Sequence, residues 1–385
     1  MAGDMVRIVI VGGYGVFGRR AAERLAGRPG IDVVVAGRSL AMAEALARDL
    51  AHARAGAGRT VSIEAARLDV ECLTADDLRA LGAGIVINTV GPFQARDYRV
   101  ARAAIAAGAH YVDLADARAF VNGIGALDAE ARAAGVLVCS GASSVPALAA
   151  AVIDDLASRL ARLDSVRYLI SPGNSFDPGP ATTAAVLGGV GRPFTTLAEG
   201  RMRTAHGWQP LLLETIDGVG TRLLGACDVP DLDLFPERYP SLRSQTFLAG
   251  VEVKAFHLGL YALSWIVRAG LLDRPELLAT PLLALKRRLG VLGSDRGAMV
   301  VEAAGPGRTG GAGRLRWTLV APEGKGPFIP ATPAVIVAKR LVEGRIGRRG
   351  ATACVGLFTL QDFEAEVADL NLLMQLDVHL EGAVA

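Results

Sequence analysis

Short apolar runs alternate with longer segments of helical period through the first third of the chain. Val6 to Val11 is apolar except for Arg7 and ends in a glycine turn, after which Arg19 to Ala26 places its apolar residues at helical spacing. The pattern repeats. It predicts strands at Asp32 to Ala36, Val61 to Leu68, Ile85 to Val90, His110 to Leu114 and Val136 to Cys139. Between them lie predicted helices from Ser39 through Leu50, Leu73 to Leu81, Arg99 to Ala107 and Leu127 to Ala134, the last two closed by Gly108 and Gly135. Strands separated by helices need crossover connections, so the pattern predicts an α/β domain over residues 1–146 with a doubly wound parallel sheet.

Beyond Pro146 the grammar changes. Ala147 to Leu160 reads as a connecting helix, Val166 to Ile170 as a strand, and Ser171 to Pro180 as a loop opening a second, mixed α/β domain over residues 147–330. The glycine-rich stretch Gly305 to Gly313 lies between strand-like Ala298 to Ala303 and Leu315 to Val320; no helix follows it, so it reads as a hairpin loop. Pro333 to Glu343 and Leu360 to Leu373 read as helices, and the tail from about 330 to 385 is expected to pack back on the first domain. Phe256 to Leu272 is apolar except for His257 and Arg268, and is shorter than the roughly 20 residues that span a bilayer. A buried or interface helix is expected there, with peripheral membrane contact or the wall of an apolar pocket as alternatives.

The turn after the first strand reads Gly12-Gly13-Tyr14-Gly15-Val16-Phe17-Gly18. A Gly-x-Gly-x-x-Gly means little in a chain with 46 glycines, but a buried strand before it and a helix after it are the context of a dinucleotide cradle. Gly13 is expected to allow the tight turn, Gly15 to let the backbone approach a pyrophosphate, and Gly18 to bring helix and strand together. The first domain is therefore expected to be of the Rossmann type, with its ligand over the carboxyl ends of the strands.

Composition narrows the alternatives. A net charge of +2 offers no footprint for nucleic acid. Cys72, Cys139, Cys227 and Cys354 are scattered without a Cys-x-x-Cys pair, so neither a metal site nor a disulfide framework is signalled. The short first apolar run passes straight into the glycine turn and does not resemble a signal peptide, which points to a cytoplasmic protein.

The second strand ends in Gly37-Arg38-Ser39, where NAD-binding proteins usually place an acid for the ribose 2′-hydroxyl. A guanidinium there pairs with a 2′-phosphate that a carboxylate would repel, so NADP is favoured over NAD. With Ala36-Gly37-Arg38-Ser39, Asn88-Thr89-Val90-Gly91-Pro92-Phe93, His110-Tyr111-Val112-Asp113 and the glycine turn, nearly the whole chain resembles the saccharopine dehydrogenase-like oxidoreductases. The tail segments Gly326 to Pro330 and Gly356 to Leu360 share the likeness. The resemblance implies an NADP-dependent reductase or dehydrogenase acting on a small molecule, often as a homodimer. It implies Gly13, Tyr14, Gly15, Val16, Phe17 and Gly18 at the pyrophosphate and Arg38 and Ser39 at the 2′-phosphate. Asp69 and Val70 would then lie by the adenine, and Val90, Gly91 and Pro92 by the nicotinamide-side ribose.

The likeness has a gap. Where saccharopine reductases resemble one another in a Gly-Leu-Asp-Pro-Gly type stretch, this chain reads Gly141-Ala142-Ser143-Ser144-Val145-Pro146. A substrate as charged as an amino-dicarboxylate conjugate needs Arg or Lys partners to replace its water. The Gly-, Ser- and Ala-rich loops here offer no such partners and speak against saccharopine, while the apolar Phe256 to Leu272 segment suits a rather apolar substrate, with hydride moving to or from a C=N, C=O or enoyl group. Groups able to supply a proton or polarise that bond are Asp113, Asp116, Tyr98 and Ser143, with Tyr111, Asp97, Ser144, Asn174 and Asp177 further off. A hydrolase is excluded, because the Ser143 segment lacks the closing glycine of a nucleophile elbow. The alternative is a non-catalytic NADP-binding protein whose apolar segment meets a partner or membrane.

Overall fold

The computed structural model describes residues 5–55, 63–94, 96–290, 292–308, 310–322 and 324–380. Within the predicted third strand Val61 and Ser62, and within the predicted glycine hairpin Thr309, lie outside the described residues. In chain order the structure runs β1 Val6–Val11, α1 Val16–Leu25, β2 Ile31–Gly37, α2 Leu40–Ala55, β3 Ile63–Arg67 and α3 Ala75–Ala80. It continues with β4 Ile85–Asn88, α4 Arg99–Ala107, β5 His110–Asp113, α5 Arg118–Asn122, α6 Asp128–Ala133 and β6 Leu137–Ser140. There follow α7 Ala149–Ser158, β7 Ser165–Ser171, α8 Gly179–Gly189, β8 Pro193–Ala198, β9 Arg201–His206, β10 Leu212–Ile216 and β11 Gly220–Ala226. Next come α9 Asp231–Arg238, β12 Ser244–Ala249, α10 Lys254–Arg268, α11 Ala279–Arg288, β13 Gly297–Pro306 and β14 Ala312–Ala321. The chain closes with α12 Phe328–Val342, β15 Gly350–Ala353, α13 Leu360–Val367 and β16 Leu373–Leu380.

These elements form two compact units, one of Met1–Leu148 with Pro327–Phe358, the other of Ala149–Gly326 with Thr359–Ala385. The tail therefore divides between them instead of returning whole to the first. Within the tail's last part, Asn371 takes a left-handed φ of 53° that ends the helical run, so Leu373, expected in a helix, opens a strand.

In the first unit seven parallel strands run in the order β15-β6-β5-β4-β1-β2-β3. The six expected strands are joined at the edge by β15, whose short Gly-Ala-Thr-Ala sequence carries almost no hydrophobic signal. Ile8, Val9, Ile10 and Val11 are all buried, as a strand covered by helices on both faces requires. Val9, Val34, Val86 and Tyr111 join Leu78, Ala104 and Leu127 of the covering helices in one cluster, while α1 packs beside α12. The latter helix begins at Phe328, ahead of the expected start, and holds Pro333 inside it. The strand order reverses between β1 and β4, where neighbouring crossovers leave in opposite directions and open a crevice at the carboxyl ends.

The second unit has a seven-stranded mixed sheet in the order β10-β11-β12-β7-β13-β14-β16, in which only β12 and β7 pair parallel, and a separate β8-β9 hairpin. The β13-β14 hairpin runs further than the sequence suggested, with Gly305 paired to Gly313 and Pro306 to Ala312. Arg167 and Arg316 each pair with both Glu214 and Glu302, closing a ring of alternating charge across β7, β10, β13 and β14.

Candidate cofactor site

The glycine turn sits at the reversal point. Gly12 takes a φ of +78°, a conformation that L side chains rarely adopt, and the Gly12 and Gly13 amides both donate to Ala36 O, at 2.9 and 3.0 Å. The left-handed residue of the turn is thus Gly12, which was absent from the expected contacts, whereas Gly13 is demanded by packing: a Cβ there would lie 2.8 Å from Ile10 O. Gly18 is demanded likewise, since a Cβ would collide with Gly12 O and come within 2.8 Å of Gly13 Cα. Gly15 differs. It is exposed, and a Cβ there would meet only Gly12 O, at 3.1 Å. Gly15 also begins α1 in an extended conformation with no side-chain cap, so the positive end of the helix dipole opens outward beside a bare backbone. Val16 and Phe17, half-buried, open the helix.

Thr89 holds the turn from the β4 side. Its hydroxyl is shared between Val11 O at 2.9 Å and Gly12 O at 3.1 Å. Asn88, buried at the end of β4, accepts the Val90 amide at 3.0 Å and donates to the Tyr111 hydroxyl at 3.1 Å. Both residues lay in the recognised Asn88-Thr89-Val90-Gly91-Pro92 run, yet neither was among the expected contacts; a small hydroxyl directly beyond a buried strand was the available signal. Val90 and Gly91 are half-buried, and Pro92 is exposed after a cis peptide bond.

At the other end, the Tyr14 ring lies against Gly37, where a Cβ would come within 2.8 Å of Cζ, and its hydroxyl accepts the Ser39 amide at 3.0 Å. Ser39 Oγ accepts the Met42 amide at 3.4 Å and so sits over the first turn of α2. Arg38 is exposed and has no carboxylate partner among the described residues. Beyond β3, Asp69 accepts the Glu71 amide at 3.1 Å, and half-buried Val70 packs against the core. The residues present fit a phosphorylated dinucleotide: a Cβ-free backbone at an uncapped helix start, and an exposed guanidinium with no carboxylate partner among the described residues.

The candidate proton donors divide by what already occupies their polar atoms. Asp113, wholly buried at the end of β5, accepts from the Ser140 hydroxyl at 2.9 Å and from the Ala115 and Gly141 amides at 2.9 and 2.8 Å. Burial pushes its carboxyl up to about 6 against the lowering effect of those donors. The Tyr98 hydroxyl donates to Phe120 O at 2.8 Å and its ring packs on Phe120; burial, then the Asp113 charge, raise its pKa. Asp97 pairs with Arg99. Asp116 is exposed, with Gln94 Nε2 at 3.5 Å. Ser143 and Ser144 are buried, and no side-chain hydrogen bond involves either hydroxyl among the described residues. His110 accepts the Leu137 amide at 2.8 Å, and burial lowers its pKa to about 4.

In the second unit, Asn174 and Asp177 build their own loop. The Asn174 amide group donates to Leu289 O and Leu292 O at 3.0 and 2.6 Å, while Asp177 pairs with Arg287 at 2.8 Å. Among the described residues no group of three His, Cys, Asp or Glu side chains could hold a metal ion, and no helix is long and apolar enough to cross a membrane.

A doubly wound parallel sheet with a glycine cradle at its reversal point defines a dinucleotide-binding protein. Residues 8–139 match the family model of the saccharopine dehydrogenase NADP binding domain, so the first unit carries an NADP-binding domain of that kind and the protein is an NADP-dependent oxidoreductase. Its fold is similar to that of saccharopine dehydrogenase (L-Glu forming) from Saccharomyces cerevisiae, at a TM-score of 0.64 and 16% identity over 97% of this chain and 100% of that one. An amine dehydrogenase from Mycobacterium smegmatis is more distant, at a TM-score of 0.43 and 12% identity over 91% of this chain and 95% of that one. No curated protein matches the chain in sequence.

Proposed function

We propose that the protein transfers hydride between NADP and a C=N, C=O or enoyl group of a rather apolar small molecule. Gly15 carries the proposal. Packing forbids a side chain at Gly13 and Gly18, whereas at exposed Gly15 a Cβ would meet a single atom, Gly12 O at 3.1 Å, and a closely approaching pyrophosphate supplies the stronger reason for its absence. In this reading Gly13 to Gly18 hold the pyrophosphate, Tyr14 and Ser39 set Arg38 against the 2′-phosphate, Asp69 and Val70 flank the adenine, and Val90 to Pro92 face the nicotinamide-side ribose. When bound, the nicotinamide supplies or accepts the hydride.

Ser143 is the proposed group that donates a hydrogen bond to the atom on which charge collects, with Asp116 as a proton source. Ser143 qualifies because it is buried and no hydrogen bond engages its hydroxyl among the described residues. Asp113 and Tyr98 act as positioning residues: Asp113 holds the Gly141 amide and so the loop that carries Ser143. An apolar substrate is supported by that loop, Gly141 to Pro146, which has no charged side chain. The protein is proposed to work in the cytoplasm as a homodimer.

The test is NADPH consumption with ketone, imine and enoyl compounds of graded chain length, in wild type and Ser143→Ala. Turnover that rises with apolar length and falls in Ser143→Ala with NADP affinity unchanged supports the assignment. Preference for a dicarboxylate substrate, or an unaffected Ser143→Ala enzyme, removes it.

A further inference from the structure

Helix α10 packs Val267, Leu260 and Leu263 inward, yet it is apolar on its outer face as well. Its buried positions include the polar residues His257 and Ser264, whose neighbours are the Trp208 ring at 5.2 Å and Gln209 Nε2 at 2.9 Å respectively. Its exposed and part-exposed stripe is apolar: Leu258, Ala262, Trp265 and Ile266 recur at helical spacing, with Trp265 48% exposed. The exposed apolar character continues past the helix through Leu271, 78% exposed, and Leu277 into α11 at Leu285. Nine of the eighteen exposed large hydrophobic side chains among the described residues fall between Leu258 and Leu292. Singly exposed leucines need no explanation, but half of them within one short stretch does.

Charge indicates what covers this face. Residues 254–292 carry six basic side chains against two acidic ones; Arg287 is paired with Asp177, Arg274 with Glu276, and Lys286 donates to the Asn174 and Phe176 carbonyls, which leaves Lys254, Arg268 and Arg288 against Asp273 on this face. Lys254 and Arg268 bracket the helix, and the Arg268 guanidinium lies 5.0 Å from the Trp265 ring centroid, beside the apolar stripe. A second copy of the chain would bring the same positive face against itself, in a helix pair that sets like charges end to end. An anionic bilayer surface satisfies both features, taking leucine and tryptophan into the acyl boundary and lysine and arginine at the headgroups. Fifteen residues at 1.5 Å each make α10 about 22 Å long, which suits lying in that surface and not spanning it.

We propose that α10, with the segment through α11, docks the protein on anionic lipid membranes. The experiment is co-sedimentation of the full chain with vesicles of phosphatidylcholine alone and of phosphatidylcholine mixed with phosphatidylglycerol. Wild type should partition at least about tenfold more strongly onto the anionic vesicles. Lys254→Glu with Arg288→Glu should remove most of that preference, and Trp265→Ser with Leu271→Ser should abolish binding, each with NADP affinity unchanged as evidence of folding. The proposal is overturned if wild type fails to sediment with anionic vesicles, or if both variants bind as wild type does. It is also overturned if Trp265→Ser with Leu271→Ser turns a dimer into a monomer by light scattering, because a second copy then covers the face.

Discussion

The Tyr14 hydroxyl accepts the Ser39 amide at 3.0 Å, so one ring ties the glycine turn after β1 to the residue beside Arg38 after β2. The two ends of the proposed cofactor site are thereby set at a fixed spacing by a side chain inside the fingerprint itself. Tyr14→Phe keeps the ring on Gly37 and deletes the hydrogen bond, worth about 1 kcal/mol. NADP affinity should fall roughly fivefold with the thermal midpoint little changed. Unchanged affinity would mean the Ser39 backbone needs no such support.

The glycines separate cradle from scaffold. Gly18→Ala forces α1 away from the turn, and overpacking of this kind costs about 1–3 kcal/mol of stability, measurable by urea unfolding. Gly15→Ala should cost less stability than Gly18→Ala, because its Cβ meets Gly12 O at 3.1 Å where that of Gly18 collides with the same atom, but should weaken NADP by roughly fivefold or more. Equal stability losses in both variants would count against a ligand-driven reason for Gly15.

Asp231 supplies a pH signature for the second unit. Wholly buried in the first turn of α9, its carboxyl is pushed by burial from 3.8 up to about 8. A raised folded-state pKa means that the folded state holds the proton longer than the unfolded chain. Its contribution to stability is therefore greatest below about pH 4, declines as pH rises toward 8, and is level above that. Asp231→Asn removes this dependence, so the stability of wild type relative to the variant should fall between pH 4.5 and 8.5 in paired urea titrations, a window of about four units. A constant difference would show that the carboxyl ionises normally.

The ring of Arg167, Glu214, Glu302 and Arg316 is partly exposed, so each pair is screened by solvent. A double-mutant cycle on Arg167→Gln and Glu302→Gln should give a coupling of about 0.5–1 kcal/mol that shrinks with added salt. A coupling indifferent to salt would indicate a ring held by packing and not by charge.

The parallel sheet was legible because its strands are buried on both faces and read as apolar runs closed by glycine. What stayed hidden carried no such signal. β15 is four small or polar residues that pair by backbone hydrogen bonds at the edge of the sheet, and α12 admits prolines that usually mark a boundary. In the site, Arg38 stood out through its charge at a strand end. Thr89 and Gly12 did not, because one acts by spreading a hydroxyl over two carbonyls and the other by its backbone angle, and neither property has a spacing rule. Asp113 and Tyr98 show the converse: both are chemically capable, yet their polar atoms are largely taken up by backbone amides, a serine hydroxyl and a carbonyl that only the fold brings near.

The central claim is that Arg38, beside a cradle opened by Gly15, selects the phosphorylated dinucleotide. Calorimetric titration of wild type and Arg38→Asp with NADP and with NAD tests it most directly. Loss of a charge-assisted bidentate contact of about 1.5–3 kcal/mol should weaken NADP by about tenfold to a hundredfold in the variant and leave NAD equal or tighter. Heat from neither coenzyme, or an NADP affinity untouched by Arg38→Asp, would contradict it.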